Sequence, residues 1–446
     1  MELAFQKELT CVICLNYLVD PVTIDCGHSF CRACLCLSWE DTRIPLHCPL
    51  CREISLQTKF RTNTIVKNVV SLVRQASLKK FLSSEDQMCG VHKETKNVFC
   101  EECKNLLCLL CCTSPEHKAH RHCFVECAVE EYWEKLLKQM RSLWEKTQEN
   151  QRNLTKERKI AEEWDYVMFI RTYLIKMQYQ KLHPLPPEEE RQHLEGLEHE
   201  GKRIFHELKE SEAAMVQKRK HLREMYEELM SISHKTDVEM LQDLGDVLAR
   251  SESLQLRMPQ PVNPVLSARP ITGLIERFSQ FSVAVSFSSQ RSTQNLMLFD
   301  EVRSWWHRHE LQEVPFPSGR ANYSSTWGAQ VFTSGKHYWE IDVEDSWEWA
   351  VGVCHKDSWR RKNFSVTESE DIILLLCLKE NNHYHLFTTS PLLSLYIEKP
   401  LGQVGVFVDL ESAIVSFVNV AKSSLIESRL IPFRCPLRPF FCTGHT

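Results

Sequence analysis

The 446-residue sequence predicts a multidomain α+β chain: two small cysteine-rich modules, a long α-helical coiled coil and a C-terminal all-β sandwich. Three observations carry this prediction. Sixteen of the 20 cysteines lie between Cys11 and Cys127. The middle of the chain has no glycine between Gly90 and Gly196, and no proline between Pro115 and Pro184 or between Glu188 and Met258. From about Ile271 the pattern turns to short apolar or alternating runs, and seven of the 11 tryptophans fall between Trp305 and Trp359.

Bulk properties set the frame. The length suggests roughly three domains. The formal net charge is -5, so no global positive field draws the chain to nucleic acid or to an anionic membrane. Met1 to Thr10 has no apolar core of signal-peptide length. The longest apolar run, Ile372 to Leu378, is far short of the ~20 residues a bilayer span needs. The expected location is the cytoplasm or the nucleus, with no membrane and no nucleic acid among the partners. In such a reducing compartment, dense cysteine points to metal binding before disulfides.

The first cysteine-rich module offers eight ligands: Cys11, Cys14, Cys26, His28, Cys31, Cys34, Cys48 and Cys51, with spacers of 2, 11, 1, 2, 2, 13 and 2. Soft thiolates with one imidazole suit tetrahedral zinc. About forty residues are too few for a self-sufficient core. The metal must then supply folding energy, on the order of 10–16 kcal/mol apparent per site. The second module offers eight more: Cys89, His92, Cys100, Cys103, Cys108, Cys111, His117 and His120. Here Cys112 and His122 compete for the places of Cys111 and His120.

Between the modules, Ile65, Val69, Leu72 and Val73 mark one face of a helix. The breaker-free middle, rich in Glu, Lys, Leu, Gln and Arg, reads as long helices. Its heptad-like seam runs through Leu136, Met140, Leu143, Leu194, Leu197, Ile204, Leu208, Met215, Leu222, Met225, Leu229 and Ile232. A lone helix cannot bury such a stripe, so it needs a partner. The expectation is a second copy, with a hairpin inside one chain as the alternative. Pro184, Pro186 and Pro187 interrupt the run, and an interior proline costs about 3 kcal/mol or more, so a kink or loop is expected at 183–187. Pro259, Pro261, Pro264 and Pro270 mark a linker. Beyond it, Tyr338 to Val343, Ala350 to Cys354, Ile372 to Leu378, Val404 to Val408 and Ile414 to Phe417 read as strands of a sandwich.

The first module resembles a RING finger of the C3HC4 kind; PHD fingers place their histidine later among the ligands. The second resembles a B-box of type 2. Lys336 to Cys354, KHYWEIDVEDSWEWAVGVC, and Gly405 to Phe417, GVFVDLESAIVSF, resemble segments of a PRY-SPRY (B30.2) domain. In this order the parts resemble the tripartite-motif proteins. The implied domains are a RING at 1–60, a helical linker at 61–83, a B-box at 84–125, a coiled coil at 126–256 broken at 183–187, a linker at 257–270 and PRY-SPRY at 271–446. The usual LDP element of the PRY segment is missing from Val283 to Phe299, which leaves the strand path near residue 290 open.

The resemblance also implies chemistry. Four zinc ions per chain would sit in two interleaved cross-braces: Cys11, Cys14, Cys31 and Cys34; Cys26, His28, Cys48 and Cys51; Cys89, His92, Cys108 and Cys111; Cys100, Cys103, His117 and His120. The activity implied is that of a RING-type E3 ubiquitin ligase, with no covalent ubiquitin intermediate on the chain. Ile13, Pro49, Leu50 and Trp39 would dock an E2 ubiquitin-conjugating enzyme, and Arg52 would bridge E2 and ubiquitin. The SPRY domain would recruit an unspecified protein substrate, with Tyr323, Trp327, Trp347 and Trp359 as anchors or as core. The coiled coil would form an antiparallel homodimer. Cys36 lacks a His or Asp partner and reads as a helix cysteine. The competing reading is a non-catalytic coiled-coil scaffold with a structural RING.

Overall fold

A computed structural model describes residues 7–39, 46–55, 60–181, 187–287, 298–309, 322–344, 346, 348–355, 371–380, 383–432 and 436–445. Two compact units result: Met1–Gln151 with Met215–Pro259, and Arg152–Ala214 with Gln260–Thr446.

In the first unit, regular structure near the cysteines is sparse. Two short hairpins, β1 (Pro21–Thr23) with β2 (Ser29–Cys31) and β3 (Leu46–His47) with β4 (Ile54–Ser55), flank α1 (Arg32–Trp39). Helix α2 (Thr64–Leu82) starts where the Asn63 side chain accepts from the Val66 N–H at 3.1 Å. Its inward face differs from the expected one. Val66, Val69, Val70 and Val73 pack on the core of the first module, while Ile65 and Leu72 face water. The second module is a three-stranded sheet, β6 (Leu106–Leu107), β5 (Val98–Cys100) and β7 (His122–Phe124) in that order, with the one-turn helix α3 (Leu109–Cys112).

Helix α4 (Val125–Lys181) runs 57 residues, as its lack of breakers requires. Helix α5 (Pro187–Ser233) opens on proline, tolerated in a first turn, followed by three glutamates that suit the positive end of the helix dipole. The expected break falls mostly on 182–186, outside the described residues. Helix α6 (Asp237–Leu256) begins with a capping box between Thr236 and Glu239.

Within each unit α4 and α5 run antiparallel. In the first, Asn150 Nδ2 donates to the Met215 carbonyl at 2.9 Å, and Leu136, Met140 and Leu143 share a core with Leu222, Tyr226, Leu229 and Ile232. In the second, the Trp164 indole N–H donates to the Gly201 carbonyl at 3.0 Å, Arg158 meets Glu212 at 2.8 Å and Tyr179 meets His193 at 3.1 Å. The seam is the expected one, but this chain's own helix covers it where a second copy was expected. The physical reason is that α4 ends and α5 restarts, so the following helix can fold back over the stripe.

Among the described residues the second unit holds helices α7 (Leu274–Ser279) and α8 (Leu298–His309) and ten strands: β8 (Asn322–Trp327), β9 (Lys336–Asp342), β10 (Trp349–His355), β11 (Ile372–Glu380), β12 (His383–Thr388), β13 (Leu393–Leu395), β14 (Gln403–Asp409), β15 (Ile414–Asn419), β16 (Ser424–Leu430) and β17 (Leu437–His445). They form a six-stranded sheet, β13-β12-β11-β10-β17-β8, and a four-stranded sheet, β16-β15-β14-β9. Trp339, Val351, Ile373, Val406 and Phe417 pack between the sheets. Alternate residues Ala350, Leu374 and Leu376 pack on Phe299 and Val302 of α8. Strands β10 and β11 are thus buried on both faces, which is why Ile372 to Leu378 reads as an unbroken apolar run.

The proline-marked segment 257–270 is fastened, not free. The Leu266 N–H donates to the Tyr396 carbonyl at 2.8 Å, and Ser267 Oγ donates to Glu200 at 2.7 Å. Trp327 is partly buried against Phe440. Trp347, Trp359, the Tyr323 side chain and the strand path near residue 290 lie outside the described residues. Among the described residues no helix is long and apolar enough to cross a membrane.

Candidate metal centres and the apolar rim beside them

The fold gathers the sixteen ligand candidates into four quartets: Cys11, Cys14, Cys31 and Cys34; Cys26, His28, Cys48 and Cys51; Cys89, His92, Cys108 and Cys111; Cys100, Cys103, His117 and His120. In each quartet all four donor atoms lie within 4.8 Å of one another. The first and second interleave along the chain, as do the third and fourth, so each module is cross-braced.

The donor separations test the fit to a metal. With Zn–S near 2.3 Å, a tetrahedron sets sulfurs about 3.8 Å apart and a sulfur and nitrogen about 3.5 Å apart. Cys14 and Cys31 sulfurs are 3.9 Å apart, and Cys89 and Cys111 are 3.8 Å apart. His28 Nδ1 lies 3.3 Å from Cys26, His92 Nδ1 3.3 Å from Cys108, and His117 Nδ1 3.5 Å from Cys103. The donor sets and their spacing fit zinc. Cys112 donates instead to the Cys108 carbonyl, and His122 takes a place in β7.

One backbone device recurs four times. After one ligand pair in each quartet, the next residue turns left-handed: Leu15 (φ 61), Arg52 (φ 63), Lys93 (φ 58) and Lys104 (φ 56). Its N–H donates to the carbonyl of the first ligand, at 2.8 Å for Leu15 to Cys11 and 2.9 Å for Arg52 to Cys48, Lys93 to Cys89 and Lys104 to Cys100. The turn aims backbone N–H groups at sulfur, as from Leu50 to Cys48 at 3.4 Å. The Cys89 thiol is drawn down to about 6, first by the His92 backbone N–H and then by that of Val91, which favours the thiolate a metal needs. Sequence reasoning missed this device, and pair spacing alone does not mark it, since Cys31–Cys34 and Cys108–Cys111 share the spacing but lie at the starts of α1 and α3.

The four closed quartets leave no open metal position, so they can brace but not activate water. The surface beside them carries the other candidates. Ile13 and Leu50 are exposed, at 39% and 52%, and Pro49 is exposed beside Leu50. Ile13 sits in the turn of one quartet, and Pro49 and Leu50 share the turn of the next. Trp39 is not part of that exposed rim. It is 8% exposed, its indole N–H donates to the His47 carbonyl at 2.8 Å, and its ring packs on Phe60. From there it braces the loop that carries Pro49 and Leu50. The Arg52 side chain is exposed and makes no ion pair among the described residues. Cys36 is buried, and burial pushes its thiol up to about 12, the opposite of an activated nucleophile.

A charged clasp ties the first module to α4. Asp20 is buried and accepts from Arg32 Nε at 2.6 Å, from Arg141 at 2.9 and 2.8 Å, and from Thr62 at 2.8 Å. Burial works to raise its carboxyl, but the Arg141 and Arg32 guanidiniums outweigh it and hold the carboxyl below the usual range. Trp133, Leu137 and Met230 of the long helices pack on the same module's core. The sequence separation of 121 between Asp20 and Arg141 hid this pair.

Comparisons with known proteins agree with these parts. Residues 11–51 match the zinc finger of C3HC4-type, RING, and residues 336–446 match the SPRY domain. Putative human tripartite motif-containing protein 49B is 49% identical over 446 residues, covering 99% of this chain and 98% of that one. Human tripartite motif-containing protein 51 is 48% identical over 446 residues, with the same coverage. Human tripartite motif-containing protein 77 is 47% identical over 439 residues, covering 98% of this chain and 97% of that one.

Proposed function

The chain belongs to the tripartite-motif family, and from that premise we propose that it is a RING-type E3 ubiquitin-protein ligase. The observation that carries the proposal is the apolar rim. Ile13 and Leu50 hold large aliphatic side chains in water at the turns of two braced quartets, with Arg52 unengaged at the edge of the second. An apolar surface of that kind is costly unless a partner covers it. In this reading Ile13, Pro49 and Leu50 receive a ubiquitin-charged E2. The planar Arg52 guanidinium donates to E2 and ubiquitin together and holds the thioester in one geometry for attack by a substrate lysine. Four zinc ions would supply rigidity alone, and no covalent intermediate forms on the chain.

The SPRY domain would bring the substrate, and the thiol-rich modules suit a reducing location, the cytosol or the nucleus. A homodimer belongs to the same reading. Because the chain's own α5 already covers the α4 seam, a second copy must either exchange helices or use another face.

Discharge of ubiquitin from a charged E2 onto free lysine tests the ligase reading. The wild-type chain should accelerate discharge, and Ile13→Ala or Arg52→Ala should abolish the acceleration with zinc content unchanged. A folded, zinc-loaded wild type that is inert across a broad E2 panel would favour the scaffold reading instead. Proximity labelling with and without 271–446 would separate substrates from bystanders.

A further inference from the structure

The end strands of a β-sheet present unpaired main-chain N–H and C=O groups to their surroundings. In the second unit two end strands find partners within the chain. Along β9, the Tyr338 N–H donates to the Phe281 carbonyl and the Val283 N–H to the Tyr338 carbonyl, both at 2.9 Å. At β16, the buried Arg171 guanidinium donates to the Leu425 and Ile426 carbonyls at 2.6 and 2.8 Å. Strand β13 ends the six-stranded sheet, and among the described residues nothing is hydrogen-bonded along its outer side.

Beside β13 lies a groove of about 560 Å³, a size that suits ligand binding. Ile160, Val167 and Ile170 of α4 form its aliphatic wall, next to the Tyr166 ring, which is 62% exposed. Leu393, Ser394 and Leu395 all line it. Successive side chains of a strand point to opposite faces, so a groove that meets three in a row meets the strand edge-on. The residues just beyond show what fits such an edge. The 257–270 segment adds there as a parallel bridge: the Leu266 N–H donates to the Tyr396 carbonyl at 2.8 Å, and the Glu398 N–H donates to the Leu266 carbonyl at 3.1 Å. Continued in that register, the segment would bring Pro264 beside Leu395. Pro264 has no N–H to donate, and the segment turns away so that the Val262 N–H meets Glu157. The added strand therefore stops at 396 and leaves 393–395 facing the groove.

We propose that this groove receives an extended peptide segment, which adds to β13 as a further strand and sets aliphatic side chains at alternate positions against α4. The backbone decides the class of occupant. A helix or an acyl chain could cover the aliphatic wall but would leave the outward N–H and C=O groups of β13 unpaired. With α4 as the far wall, the edge can take one strand and not a second sheet. The segment would belong to a protein that the SPRY domain recruits, so the proposal rests on that part of the functional reading and gives it a chemistry.

Fluorescence anisotropy with the full chain tests it. The probes are labelled, end-capped heptapeptides with Val, Ile or Leu at alternate positions and Ser, Thr, Lys or Glu between them. At least one should bind with a dissociation constant below about 100 µM. Methylating its backbone nitrogens one at a time should weaken binding by about tenfold or more at alternate positions only, because every second N–H points at β13. Val167→Glu should weaken it by a similar factor at unchanged helix content, and the methylation scan decides the matter if that variant disturbs α4. A panel with no binder would overturn the proposal, whether or not a labelled fatty acid or helical peptide binds instead. So would a binder that tolerates methylation at every position. Discharge of ubiquitin onto free lysine needs no recruited segment. A chain that binds peptides yet is inert toward E2 would fail the ligase reading alone, and one that discharges E2 yet binds no peptide would fail this proposal alone.

Discussion

At the scale of single residues, the four quartets stand out because paired cysteines at fixed spacing have few other uses. A tryptophan in a short helix can line a groove or brace a loop, and the hydrogen bond from the Trp39 indole to the His47 carbonyl sets this one against the loop. The Asp20 clasp joins residues remote in sequence, and its energetics are asymmetric. Removing Asp20 leaves two guanidiniums facing each other, one of them mostly buried, whereas removing Arg141 leaves Asp20 paired with Arg32. Asp20→Ala should therefore destabilise the first unit by about 3–5 kcal/mol and Arg141→Ala by about 1–2 kcal/mol. Urea unfolding read at the helical signal checks the order, and a larger loss for Arg141→Ala would contradict it. His193 gives a pH signature. Burial, then the charges of Arg171 and Arg269, push its imidazole down to about 4, so the fold holds it neutral while the unfolded chain titrates near 6.5. Its contribution is complete above pH 6.5 and is lost as pH falls through about 4, on the order of 3 kcal/mol in all. His193→Gln should flatten the fall in stability between pH 6.5 and 4; an unchanged slope would assign that fall to other groups.

At the scale of elements, legibility followed periodicity. Strand β11 was readable because burial on both faces leaves no polar residue in Ile373 to Leu378. The face of α2 was misjudged because four valines and two larger aliphatics offer two overlapping stripes, and tertiary packing chose the valines. The 257–270 segment read as a linker because prolines bar it from helix and sheet interior, yet its remaining N–H groups still find carbonyl and carboxylate partners. The cross-braced modules have only two- and three-residue strands and one short helix each, so their order rests on the quartets. Chelation should raise amide exchange across β1 to β7 toward the unfolded rate. The sandwich has its own core from Trp339 to Leu437, so β9 to β17 should keep their protection. Protection retained in β1 to β7 without metal would mean that packing on the long helices suffices to hold these modules.

At the scale of the whole molecule, the heptad seam was legible but the identity of the partner helix was not. A stripe specifies a complementary surface without saying whether it belongs to the same chain. Chain geometry favours the intramolecular answer, since a following helix at millimolar or higher effective concentration outcompetes a separate copy. The buried polar residues fit it as well: Asn150 donates to Met215, and the Trp164 indole donates to Gly201, so the register is fixed inside one chain. If the seam is internal, α4 and α5 of one chain should stay paired with each other even when copies associate. In a refolded mixture of isotope-labelled and unlabelled chains, crosslinks between α4 and α5 near Asn150 and Met215 should join residues of one label. Mixed-label crosslinks at those positions would mean that copies exchange α5 helices, with the same seam contacts made between chains.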